Sequence, residues 1–114
     1  MKPNVTKISQ ICCGDLPLLE MTEAERLTMT AKALSDPIRL QMVHFLQNRP
    51  DLCTCEFEEL LGLAQSKVSY HLKILLQAGL IDRKIYGSWS HYKLRDRDLL
   101  NKLKSLSSNH SHSN

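Results

Sequence analysis

Four cysteines carry the most specific chemistry open to this 114-residue chain. Cys53 and Cys55 flank Thr54, and Cys12 and Cys13 are adjacent. Thiolates are soft ligands, so these residues suit a soft metal or metalloid ion over magnesium or calcium. Trivalent arsenic or antimony takes three sulfurs in a pyramid, and cadmium or lead can take a further ligand. Cysteines one residue apart on a regular helix point about 200° apart, because each residue turns about 100°. Cys53 and Cys55 can therefore share one ion only at a frayed or non-helical entry to a helix, which Thr54 and the nearby Pro50 favour. A helix N-terminus also draws a thiol toward its thiolate form. The same thiols are open to oxidation or persulfidation with no metal involved, and a cysteine without chemistry is a small buried hydrophobe.

A second set of side chains follows directly. Gln65, Ser66, Lys67, Ser69, Tyr70, His71 and Lys73 crowd hydrogen-bond donors, acceptors and cations into nine residues. Val68, Leu72, Leu75 and Leu76 among them recur at helical spacing and form the core-facing stripe. Polar groups at the N-terminal end of such a helix suit base edges and phosphates in a major groove. Tyr70 suits a phosphate or a thymine methyl. His71 suits either DNA or the interface between two helices. Arg83 and Lys84, further along, are candidate phosphate contacts. His44 and His91 read as surface residues, and Glu56, Glu58 and Glu59 as a solvated face.

The elements that must position these groups are mostly helical. Residues 1–21 show no clear period and read as an arm carrying Cys12 and Cys13. Thr22 and Glu25 form a capping box ahead of a helix with Ala24, Leu27, Ala31 and Leu34 on one face. Asp36-Pro37 opens the next helix with a capping carboxylate and a first-turn proline, and Ile38, Met42, Phe45 and Leu46 are its apolar positions. A third helix starts at Cys53 or Thr54 and ends at Gly62, and a fourth is capped by Ser66 and stopped at Gly79. Residues 80–94 break the helical pattern and predict a β-hairpin around Gly87-Ser88. Asp96 or Asp98 starts a last helix running to Leu106, and residues 107–114, with His110 and His112, form a polar tail predicted to be disordered. Residues 22–106 thus predict one mostly α domain with a small β-hairpin, a winged helix-turn-helix. The apolar stripes of its first and last helices exceed what one copy can cover, which predicts a dimer through these terminal helices. Two copies would set their recognition helices at half-sites about 34 Å apart on duplex DNA.

Composition bounds the reading. The net charge is only +3, but Lys67, Lys73, Arg83, Lys84 and Lys93 face a single acid, Asp82, between residues 66 and 93. That is a local phosphate-facing surface on a nearly neutral chain. Few aromatic residues favour a small helical domain over a sandwich or barrel. No apolar run long enough for a membrane span and no apolar leader occur, which predicts a cytoplasmic protein with reduced cysteines. No paired carboxylates in an apolar setting, nucleophile–base spacing or cofactor loop points to an enzyme.

These residues match a family. The run Ala33-Leu34-Ser35-Asp36-Pro37-Ile38-Arg39-Leu40 resembles a signature of the ArsR/SmtB metal-responsive repressors. The run from Gln65 to Leu72, followed by Ala78-Gly79-Leu80, resembles their recognition helix. Leu52-Cys53-Thr54-Cys55-Glu56 resembles the metal box of the arsenic-, cadmium- and lead-sensing branch. The resemblance covers residues 22–106. It implies a homodimeric winged-helix repressor without a permanent cofactor. Such a repressor leaves its double-stranded operator when arsenite or antimonite, or alternatively cadmium or lead, binds. It also implies that an N-terminal cysteine joins the box, for which Cys12 and Cys13 are placed. The chain departs from the pattern in two places. Gly87-Ser88-Trp89 stands where many members carry Gly-Arg at the wing tip, and Asp96-Arg97-Asp98 lacks the histidine partner of the zinc-sensing branch. A thiol redox or persulfide repressor is the alternative on the same cysteines.

Overall fold

The structure is a computed structural model that describes residues 16–111. Five helices and three strands follow in the order α1 (Met21–Ala33), α2 (Pro37–Asn48), β1 (Leu52–Cys53), α3 (Thr54–Leu61), α4 (Gln65–Gln77), β2 (Ile81–Tyr86), β3 (Trp89–Leu94) and α5 (Leu99–Ser111). Cys12 and Cys13 lie outside the described residues.

Cap chemistry accounts for several of the boundaries. The Asp36 side chain accepts hydrogen bonds from the backbone N–H groups of Ile38 (2.8 Å) and Arg39 (3.3 Å), with Pro37 in the first turn. Burial opposes ionisation of this carboxyl, but the two N–H donors and the Arg39 guanidinium hold it below the usual aspartate range. The stability it contributes is therefore present above the usual aspartate pKa and is lost as pH falls through the lower, folded value. Asp36→Ala is expected to cost about 0.5–2 kcal/mol at neutral pH, and to cost progressively less in acid, as measured by urea unfolding across a pH series. At its other end α3 closes on Gly62, whose φ of +66° is left-handed and favours glycine.

Two caps differ from expectation. α1 begins at Met21, one residue before Thr22, because the Glu20 carbonyl accepts from Ala24 N–H (2.9 Å) and closes the first turn. Thr22 then sits inside the helix, and no side chain caps it. α4 likewise starts from Ala64, whose carbonyl accepts from the N–H groups of Lys67 and Val68 at 3.1 Å. Ser66 is consequently not the cap, and its residue is exposed on the first turn. At the other end of the chain, α5 continues to Ser111, past the expected stop at Leu106.

The hairpin is where the sequence puts it. β2 and β3 pair antiparallel from Ile81↔Leu94 to Tyr86↔Trp89. The two-residue connection Gly87-Ser88 carries a positive φ only at Gly87 (+61°), the sign pattern of a II′ turn. A third strand was not foreseen: β1 pairs with β3 in the registers Leu52↔Tyr92 and Cys53↔His91, giving the order β1-β3-β2. Two residues are too few to show a period, so their pairing depends on β3 lying alongside.

Met42, Val43, Leu46, Leu52, Phe57, Val68, Leu75 and Ile81 are completely buried and bring α2, β1, α3, α4 and β2 onto one core. The expected stripe of α4 is borne out at Val68, Leu72 and Leu75, with Leu76 partly buried beside them. Most of the stripe of α1 stays outside: Leu27 is about half exposed and Ala31 is exposed, while Leu34 at its end packs partly buried against the core. Ala33 is the only buried residue of the helix itself. On α5, Leu100 is buried and Leu106 is 78% exposed.

Candidate nucleic-acid interface and thiol site

α3 and α4 are joined by a short turn, and the hairpin packs beside them, so α4 presents one long side to solvent. Gln65, Ser66, Lys67, Ser69, Tyr70 and Lys73 are all exposed along it. Arg83 and Lys84 are exposed on β2. The two sets meet: Ser69, Lys73 and Gln77 of α4 and Arg83 of β2 line one cleft. Lys67, Lys73, Arg83 and Lys84 make no ion pair within the described residues, so their charges face outward. The one acid of this region, Asp82, is engaged by Arg95 at 2.7 Å, which holds its carboxyl below the usual range. What remains is a surface of unneutralised cations, suited to a phosphate backbone.

His71 is the exception among the expected contacts. It is 5% exposed, and its Nδ1 lies 2.9 Å from Arg39 Nη1. Of the two places open to it, the structure puts it inside, between α4 and α2. Its neighbour Arg39 had no functional reading from sequence. Arginine is seldom buried without partners, and the signal that could have found it is its place three residues after the Asp36 cap.

The thiols are close together. Cys53 is the N-cap of α3, with extended backbone (φ −93°, ψ 166°), and Cys55 is in the first turn. This non-helical entry cancels the divergence a regular helix would impose, and Cys53 Sγ lies 3.0 Å from Cys55 Sγ. Cys53 is nearly buried and Cys55 is exposed. The expected thiolate bias at Cys55 is not found. The hydrogen bond with the Cys53 sulfur is the main cause that pushes the Cys55 thiol above its usual pKa, with desolvation and the neighbouring Cys53 and Glu56 acting in the same direction.

Glu56 stabilises this entry, a role its place in an acidic run concealed. Its Oε1 accepts from Cys53 N–H (2.9 Å), and its Oε2 meets Arg49 Nη2 at 2.9 Å. The Cys53–Glu56 spacing of a capping box was the available signal. Two links run from the thiols to the wing. Cys53 pairs with His91 on β3, and a cleft beside Cys55 is lined by Gln65 of α4 and by Ser88, Trp89 and Ser90 of the hairpin. His91 is half-buried, with Nδ1 2.7 Å from Asp51 Oδ1. Among the described residues, no group of three His, Cys, Asp or Glu side chains surrounds a common point. The pair therefore offers two soft donors, and an ion needing three sulfurs needs one from elsewhere.

A helix-turn-helix with a paired hairpin at its side defines a winged helix-turn-helix domain. The family of bacterial regulatory proteins of the arsR type matches residues 36–83. The arsenical resistance operon repressor of Bacillus subtilis (strain 168) is 46% identical over 68 residues, covering 60% of this chain and 65% of that repressor. This chain thus spans somewhat under two thirds of that relative. An HTH-type transcriptional regulator of Methanocaldococcus jannaschii is 32% identical over 76 residues, covering 67% of this chain and 85% of the relative. The homodimeric winged helix-turn-helix DNA-binding domain from Mycobacterium bovis shares the fold, with a TM-score of 0.74 at 17% identity over 87% of this chain and 96% of the other. The chain belongs to the arsR family of bacterial regulatory proteins. No helix among the described residues is long and apolar enough to cross a membrane.

Proposed function

We propose that this protein is a homodimeric DNA-binding repressor whose operator is released when trivalent arsenic or antimony binds its thiolates. The observation that carries the reading is the 3.0 Å approach of Cys53 Sγ and Cys55 Sγ at the entry of the helix that precedes α4. The similarity to an arsenical resistance operon repressor across 68 residues supports the metalloid. The third sulfur is assigned to Cys12 or Cys13.

α4 enters the major groove. Gln65, Ser66, Ser69 and Tyr70 read base edges, Lys67 and Lys73 meet phosphates, and Arg83 and Lys84 hold the flanking backbone from the wing. The half-exposed stripe of α1 and the exposed end of α5 are covered by a second copy. An ion drawn between the two sulfurs shifts the backbone of Cys53. Through the β1–β3 pairing that shift is felt at the wing. The coupling need be only about 1–3 kcal/mol to lower operator affinity by about 5–150-fold.

The test is operator release from the reduced protein, titrated in parallel with arsenite, antimonite, cadmium, lead and zinc, with Cys53→Ser/Cys55→Ser as control. Release by arsenite or antimonite that the double variant lacks, with its uninduced DNA binding intact, is the expected result. Release by cadmium and lead alone would assign the divalent branch instead. Release by oxidant alone, reversed by reductant, would assign the redox reading.

A further inference from the structure

We propose that Arg39 and His71 are positioning residues for DNA recognition, a buried joint that sets the rotation of α4 by fastening it to the end of α1. This inference rests on the reading of α4 as the helix that meets DNA.

The joint touches three elements. Arg39 leaves α2 and is 8% exposed. Its Nε donates to the Ala33 carbonyl (2.6 Å) and its Nη2 to the Lys32 carbonyl (3.4 Å). These belong to the last turn of α1, where carbonyls lack helical partners and the helix dipole favours a cation. Its Nη1 donates to His71 Nδ1 (2.9 Å), on the inner side of α4. Since Ala33 is the only buried residue of α1, this guanidinium is a principal tie between that helix and the domain. A guanidinium has donors in a rigid plane, so filling three of them at once leaves little play.

Rotation matters more for some contacts than for others. A turn of α4 by about 10° moves a side-chain tip at a radius of about 5–6 Å by about 1 Å. Hydrogen bonds from Gln65 or Ser69 to base edges do not survive that shift. Contacts from long, flexible Lys67 and Lys73 to phosphates do. Loosening the joint should therefore remove sequence preference and spare non-specific binding.

The joint also requires one protonation state. A guanidinium has no acceptor, so Nδ1 must accept and His71 must be the neutral tautomer with its proton on Nε2. Burial disfavours its cation most, Asp36 favours it, and Arg39 and Lys67 disfavour it, leaving its pKa lowered overall. Acid therefore opens the joint: its contribution is full above the usual histidine pKa and declines as pH falls toward the lower, folded value.

The experiment measures affinity for a duplex selected in vitro by the wild-type dimer, and for a random duplex, from pH 7.5 to 5.5. His71→Leu keeps bulk and removes the acceptor. His71→Asn keeps an acceptor near the Nδ1 position and does not titrate. His71→Leu is expected to lose about tenfold on the selected duplex and to stay within twofold of wild type on the random one, with its dimer fraction unchanged in sedimentation. His71→Asn is expected to recover most of the preference, and to lose the several-fold fall that wild type shows in acid. Equal weakening on both duplexes by His71→Leu, or no weakening, would overturn the joint. So would the same pH profile for wild type and His71→Asn, a comparison that stands even if His71→Leu fails to fold. A wild-type chain that enriches no duplex would instead overturn the reading of α4 itself.

Discussion

Phe57→Ala is expected to lower the stability of the domain by about 3–5 kcal/mol, a large share of the roughly 5–15 kcal/mol typical of a small protein. Phe57 is completely buried and meets Tyr92 edge to face, with ring centroids 6.3 Å apart at 86°. It is also the one buried residue of the eight-residue helix α3. Alanine would leave a cavity between α3 and β3 that the neighbouring Leu52 and Tyr92, held in register by the β1–β3 pairing, cannot close. The change reaches the thiols as well, since α3 carries Cys55 on its first turn. Urea unfolding gives the number, and a loss below about 1.5 kcal/mol would show that the core re-forms around the gap.

Lys67→Ala combined with Arg83→Ala is expected to flatten the salt dependence of DNA binding. Each phosphate contact contributes about 0.9 to the slope of log affinity against log salt on duplex DNA. Two contacts per protomer make about four per dimer, so the slope should fall by about 3–4, with weaker binding to all sequences alike. The structural basis is that both residues are exposed, on α4 and β2, and neither is neutralised by an acid of its own domain. Binding isotherms at several salt concentrations measure the slope. A value equal to wild type would remove both residues from the phosphate interface.

The Asp36-Pro37 cap, the Gly62 stop and the Gly87-Ser88 turn were legible because each is a local agreement between one or two side chains and their own backbone. The stripe of α4 was legible for the same reason: periodicity reports which side faces inward. The two misplaced caps, at Thr22 and Ser66, show where local reading fails. In both, a backbone carbonyl two residues earlier closes the first turn, and the hydroxyl is not needed.

The sequence by itself determined the helices and the hairpin, their order, the polar side of α4 and the presence of two cysteines one residue apart; strand β1 it did not. Tertiary structure alone decided that those sulfurs converge to 3.0 Å, because their approach depends on the extended backbone of Cys53, which β3 and Glu56 hold. It likewise decided that His71 faces inward, because a guanidinium brought in from α2, 32 residues away, gives the buried imidazole its hydrogen-bond donor. Local chemistry sets local conformation; burial and convergence depend on what a distant part of the chain places alongside.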